Sequence, residues 1–315
     1  MNRSPGWGSE AAELSFSLIL WVPFTIAAAS AQVVRNGAQA RLTRTIGTLG
    51  ATQVRFVFGL PFALLFVAAA LALTGQPPPA VSPEALVWAS LGAVSQILGT
   101  AAMLVVMNQR AFGVAYAYIK TEPAIVAVMG VILLGDLLGP LAWAAVGVVT
   151  AGVLIASARP GEYAKLLSER RMIAWGVGAG ALFGLSAIAF RGAIGMLEGG
   201  DFLIRALTVL AISLTIQTAL LGLWLGLRDR AAFVSSLKVW RTSLGVGFLG
   251  AFASACWFTA FALTPAANVR TLGLIEMPMA ALLARGLTGK APSRHETVGM
   301  AAVMSGVALL LYASA

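Results

Sequence analysis

Long apolar runs, separated by short polar breaks, repeat along all 315 residues of this chain. Ten of them are long enough for a hydrocarbon core of ~30 Å. They lie at about Leu14–Val34, Ala51–Leu73, Glu84–Val106, Phe112–Gly135, Leu141–Ala158, Met172–Leu197, Phe202–Leu227, Val239–Leu263, Pro265–Leu287 and His295–Ala313. Arg35-Asn36-Gly37 closes the first run, with Arg41 and Arg44 in the loop that follows. Gly75-Gln76-Pro77-Pro78-Pro79 closes the second, Asn108-Gln109-Arg110 the third, and Arg159-Pro160-Gly161 the fifth. Pro61 predicts a kink in the second run, and Ser82-Pro83 suits the start of the third helix. No small-residue cleavage site follows the first run, which is therefore read as a retained span behind a polar tail.

Two runs carry charge near their middles. FGVAYAYIKTEPAIVAVMGVILLG holds Lys120, Glu122 and Pro123, and PAANVRTLGLIEMPMAALLARGL holds Arg270, Glu276 and Pro278. Ionisable groups at that depth are costly and mark function by default. One offset relates the two runs: subtracting 122 from 276 gives 154, and 154 also separates Gly135 from Gly289 and Gly152-Val153 from Gly306-Val307. Looser matches link Trp21 with Trp175 (154), Leu91-Gly92 with Leu244-Gly245 (153) and Arg55 with Arg205 (150). The chain therefore reads as a tail (1–13), a five-span unit (14–158), a charged linker (159–171) and a second copy of the unit (172–313). An odd number of spans per copy sets the copies in opposite senses across the membrane.

Composition fixes the class. With 59% apolar residues, 10% charged residues and a mean hydropathy of +0.89, the chain is expected to be a multi-pass protein of the inner (plasma) membrane. The net charge of +9 does not point to nucleic acid, because Lys and Arg collect in the short loops after odd-numbered spans. Arg110, Arg228, Arg230 and Lys238 are examples, while the loops after even-numbered spans are nearly bare. The positive-inside rule makes the odd loops cytoplasmic and both termini external. Cys256 and His295 are the only residues of their kinds, too few for a disulfide, a zinc site or a Ser-His-Asp triad, and no cofactor is expected. Gly176, Gly180 and Gly184, like Gly222 and Gly226, are spaced for close helix contact rather than phosphate binding.

Glu122 stands out for its depth, its adjacent proline, its counterpart Glu276, and Tyr116 and Tyr118 in the same run. Low dielectric favours the neutral form of a carboxylate, which suits a proton carrier. Structurally, a polar side chain there could instead satisfy carbonyls freed by Pro123. Lys120 and Arg270 suit a carboxylate-bearing substrate or neutralise the two acids. Lys120 and Glu122, two residues apart on a helix, point about 200° apart and do not pair directly. Trp21, Trp175 and Trp257 sit deeper than the tryptophans of the interfacial belt and could line a cavity. Gln96, Asn108 and Gln217 either supply polar walls or join helices. Arg55 and Arg205 read first as side chains that snorkel to head groups.

Glu122-Pro123, Gly135-Asp136 and Gly152-Val153, with the weaker second set Glu276-x-Pro278, Gly289-Lys290 and Gly306-Val307, resemble the EP, GE and GV pattern of EamA-type transporters in the drug/metabolite transporter superfamily. Lys290 departs from that pattern, standing where the family usually has an acid. The resemblance implies an all-α polytopic fold of ten transmembrane helices, in two inverted five-helix repeats around a central cavity. It implies export or exchange of small metabolites; the expectation is a secondary active transporter, an exporter of compounds such as amino acids or drug-like molecules, with Glu122 or Glu276 as the candidate for proton exchange. An uncoupled facilitator or lipid-precursor flippase is the alternative. An enzyme is disfavoured by the shortage of bases and nucleophiles. The small-molecule substrate and the bilayer are the expected partners, and a monomer is compatible with the sequence.

Overall fold

The computed structural model describes residues 20–109, 119–157, 170–288 and 292–314. The expected tail, most of the linker, Tyr116, Tyr118 and Lys290 lie outside those residues. Among the described residues the regular structure is helical, apart from one isolated bridge between Ala80 and Glu198. The helices are α1 (Trp21–Val57), α2 (Leu60–Thr74), α3 (Pro83–Gln109), α4 (Glu122–Leu134), α5 (Pro140–Ser157), α6 (Arg170–Gly195), α7 (Phe202–Arg228), α8 (Arg230–Lys238), α9 (Trp240–Leu263), α10 (Ala266–Gly273), α11 (Glu276–Thr288) and α12 (Arg294–Ser314).

Seven helical stretches are long and apolar enough to cross a membrane, and α4 is a shorter apolar helix. Large apolar side chains face outward along them, including Leu65, Leu73, Ile132 and Leu227. Water would oppose that exposure and lipid removes the penalty. Hydroxyls inside the bundle bond back to their own helices, as Thr25 does to the Trp21 carbonyl (2.8 Å) and Ser213 to that of Val209 (2.7 Å).

One expected boundary is corrected. Arg35-Asn36-Gly37 does not end the first helix, because α1 continues through it to Val57. A glycine in a helix costs only ~1 kcal/mol relative to alanine, which tertiary packing readily offsets. The break falls instead at Gly47, whose φ of 72° and ψ of 172° lie in a region essentially reserved for glycine. The interruption near Pro61 is present. It falls at Phe58-Gly59, and α2 restarts with Pro61 in its first turn, where no backbone donor is needed.

Three helix pairs make the most extensive contacts: α3 with α6, α5 with α12, and α1 with α9. The α5–α12 contact is reciprocal. A Cβ on Gly152 would lie 2.7 Å from the Val303 nitrogen, and one on Gly306 would lie 2.5 Å from Val149 Cγ2. Val149 and Val303 are again 154 positions apart, as are Gly152 and Gly306. The backbones touch there because both helices present glycine. At one end of the bundle the α2–α3 connection is tied to the α6–α7 connection. Ala80 and Glu198 exchange backbone hydrogen bonds (2.8 and 3.2 Å), and Gln76 Nε2 donates to Asp201 Oδ2 (3.1 Å).

Side-chain atoms added at Gly299, whose Cβ would collide with the Ala156 backbone, should force α5 and α12 apart. Gly299→Leu should lower the melting temperature of the detergent-purified protein by several degrees, in keeping with the roughly 1–3 kcal/mol cost of overpacking. Gly147→Leu, on the exposed face of α5 with open space around it, should leave that temperature unchanged.

Candidate functional site

Neither charged run is the continuous span expected from its length. The chain turns at Lys120-Thr121 before α4 and at Leu274-Ile275 before α11. Each new helix starts on the acid, Glu122 or Glu276, with Pro123 in second and Pro278 in third position. First-turn N–H groups have no intrahelical acceptor, so a proline costs least there. The same unpaired N–H groups make a helix start favourable for a negative charge. The acid and proline therefore define a pair of helix starts in the interior of the bundle.

Both carboxylates are buried at 4% exposure, and each meets a cation from the other half of the chain. Lys120 Nζ contacts Glu276 Oε1. Arg270 Nε lies 3.1 Å from Glu122 Oε1. Neither of these last two atoms has a hydrogen-bond partner among the described residues, so this is a contact of charges rather than an aligned hydrogen bond. Gln32 Nε2 donates to Glu276 Oε2 (2.6 Å), and Gln32 Oε1 accepts from Trp257 Nε1 (3.2 Å). The Arg270 guanidinium lies over the rings of Trp257 (5.1 Å) and Phe261 (5.4 Å), where the ring faces attract it. The void between these groups is about 10 Å³, room for a single water at most.

Two further cations adjoin the cluster. Arg35 is 5% exposed, and its Nη2 donates to Asn36 Oδ1 (2.9 Å), while its buried Nε has no partner among the described residues. Arg35 and Arg55 both lie against Gly250, each 3.6 Å from the position of its absent Cβ. Arg55 is within electrostatic range of Arg35 and Arg270, and Arg35 of Glu276. Lys120 and Arg270 thus contact the two carboxylates directly, with Arg35 and Arg55 packed together beyond them.

Of the residues singled out by sequence, Lys120, Glu122, Arg270, Glu276 and Trp257 come together. Trp21 is buried in the apolar core at 1% exposure, outside the residues lining that void. Trp175 is 42% exposed and belongs with the belt tryptophans rather than with a cavity. Gln96 accepts from Gln217 Nε2 (2.7 Å) and joins α3 to α7. Tyr116, Tyr118 and the Asn108 side chain lie outside the described residues. Gln32 and Arg35 were not anticipated. Their only signal was polarity within the run AAASAQVVR, where Arg35 passed for a span end.

A larger cavity of about 270 Å³ lies between the ends of α4, α6, α7 and α9, lined by Leu134, Asp136, Arg191, Phe202, Arg205 and Phe261 among others. Arg191 is fully engaged on one side. Its Nη2 donates to Asp136 Oδ1 (2.8 Å), and its Nη1 to the carbonyls of Phe261 (2.9 Å) and Thr264 (2.8 Å). This ties α6 to the carbonyl-bearing end of α9. Arg205 reaches this cavity instead of extending only to head groups.

Residues 170–312 match the family described as EamA-like transporter family. No curated protein matches the chain. A solved crystal structure that is 15% identical shares the fold, with a TM-score of 0.65 over 93% of this chain and 96% of its own. Residues 170–312 are thus similar to the EamA-like transporter family, part of the drug/metabolite transporter superfamily, and the seven long apolar helical stretches are those of a multi-pass membrane protein.

Proposed function

We propose that the protein carries small carboxylate-bearing metabolites, amino acids among them, across the plasma membrane by alternating access. In this reading two inverted five-helix repeats close on the site held by Glu122, Glu276, Lys120 and Arg270. The observation that carries it is the pair of contacts crossing between the halves, Lys120 to Glu276 and Arg270 to Glu122. The reciprocal α5–α12 seam supports a twofold relation between halves, as does the way α3–α6 and α1–α9 each join one half to the other.

Charge decides the substrate class. Lys120 and Arg270 each answer one acid, and Arg35 and Arg55 stand close by, so the neighbourhood holds more basic than acidic side chains and suits a substrate carboxylate. A carboxylate arriving at Lys120 or Arg270 displaces the glutamate already there. That glutamate, left alone in low dielectric, needs a new partner. An amino acid brings one in its ammonium group, whereas an acid without an amine requires a proton. Glu122 and Glu276 are therefore where substrate and proton compete.

A second reading, an uncoupled facilitator, is favoured by the same contacts. Both acids are partnered with the site closed, so the empty carrier has no need of an ion to reorient. The two readings separate on flux in proteoliposomes under an imposed pH gradient. A coupled carrier is driven by the gradient and a facilitator ignores it.

Glu122→Gln and Glu276→Gln should each reduce amino-acid counterflow in proteoliposomes at least tenfold. Full flux with unaltered pH dependence in both variants would remove the carboxylates from the mechanism. Lys120→Met alone leaves Glu276 buried without its cation, a loss on the order of 3–5 kcal/mol for a broken buried pair. Lys120→Met combined with Glu276→Met should recover most of the lost thermal stability and none of the transport. Recovery of both would make the contact merely structural.

A further inference from the structure

We propose that the cavity between the ends of α4, α6, α7 and α9 is a second binding site, in which Arg205 takes the carboxylate or phosphate group of a small anion. At about 270 Å³ it falls just below the range of small-ligand pockets, roughly 300–1,000 Å³. Its walls are largely apolar, from Leu134, Ile194, Met196, Phe202 and Phe261. Three charged side chains line it, and they differ in what they have left to offer.

Arg191 is committed to Asp136 and two carbonyls. Asp136 gives one oxygen to Arg191 and holds the other over Gly130, where a Cβ would lie 2.9 Å from Oδ2. Arg205 differs from the other two in joining none of the ion pairs among the described residues; its Nε, like Arg191 Nε and Asp136 Oδ2, is buried with no hydrogen-bond partner. Arg205 is half-buried, and the planar donors of a guanidinium without a counter-ion match carboxylate and phosphate oxygens. With Asp136 answering Arg191, the cavity retains one positive charge.

The position gives the site two sources of anion. It lies among helix ends, beside the tied Ala80 and Glu198 connections, within reach of phospholipid head groups as well as solutes. It also shares Phe261 with the central cluster, since that ring forms part of its wall and lies under the Arg270 guanidinium. Phe261 is one helical turn, about 6 Å, beyond Trp257. The site binds at equilibrium, so it stands or falls separately from the transport reading.

The test uses the full-length protein in nanodiscs. In phosphatidylcholine discs, phenylacetate and inorganic phosphate are titrated while melting temperature and heat of binding are followed. In a second arm, phosphatidylglycerol replaces part of the lipid. The wild type should bind at least one soluble probe saturably, or gain several degrees of melting temperature from the anionic lipid. Arg205→Gln should weaken that response at least tenfold or abolish the shift.

Gly147→Leu, on the outer face of α5 and lining neither site, should leave the response intact. Should Arg205→Gln fold poorly, Gly195→Leu serves instead. Gly195 lines the cavity with nothing within 4 Å of its Cβ position, so leucine fills space there without collision and should weaken phenylacetate binding. A response in the soluble arm identifies a metabolite site, and one confined to the lipid arm identifies a head-group site. No response in either arm, or equal responses in wild type, Arg205→Gln and Gly195→Leu, overturns the proposal.

Discussion

A charge inside a bilayer persists only if an opposite charge reaches it, and in this protein the opposite charge comes from the other half of the chain. Lys120 and Glu122 are near neighbours in sequence, yet each turns to a residue about 150 positions away, Glu276 and Arg270 respectively. The desolvation of four ionisable groups is thereby offset only when the halves are together. On the proposed alternating-access reading, whatever takes the place of either contact would also loosen the joint between the halves.

Backbone geometry sets those groups at the right depth. Irregular backbone in a membrane is tolerated where protein surrounds it, and both breaks, at Lys120-Thr121 and Leu274-Ile275, lie within the bundle. Prolines within the next turn keep each break in place, because a helix cannot be continued through them without losing a hydrogen bond. Gln32 adds orientation. Its amide donates to Glu276 and accepts from Trp257, so its two ends are distinguished and the carboxylate is held against an aromatic wall.

Much of this was legible in the sequence because charge in an apolar run is conspicuous. Glu122, Glu276, Lys120 and Arg270 could be singled out, whereas the helical spacing used to separate Lys120 from Glu122 does not apply, because the chain turns at Lys120-Thr121 before the helix begins. Partner choice was not legible, since it depends on which helices pack together. The continuity of α1 was also hidden. Arg35-Asn36-Gly37 has the composition of a loop, but composition does not say whether packing will hold it helical, and that concealed Arg35 as a neighbour of the site. The internal likeness carried register better than environment. Trp21 and Trp175 occupy matched positions, yet one is buried and the other faces outward, and Gln96 spends its amide on a helix-to-helix bond.

The seam between α5 and α12 has a consequence for how strong the association of halves has to be. Gly152 meets Val303 as Gly306 meets Val149, so the contact is self-complementary in the manner of a symmetric dimer interface. Here the two partners are covalently joined, which holds them at an effective concentration of millimolar order without demanding intrinsic affinity. Glycine on both sides lets the two backbones meet at contact distance, with Val149 and Ala302 seated against the glycines of the opposite helix, so tethering and close packing together fix how the two helices lie on one another.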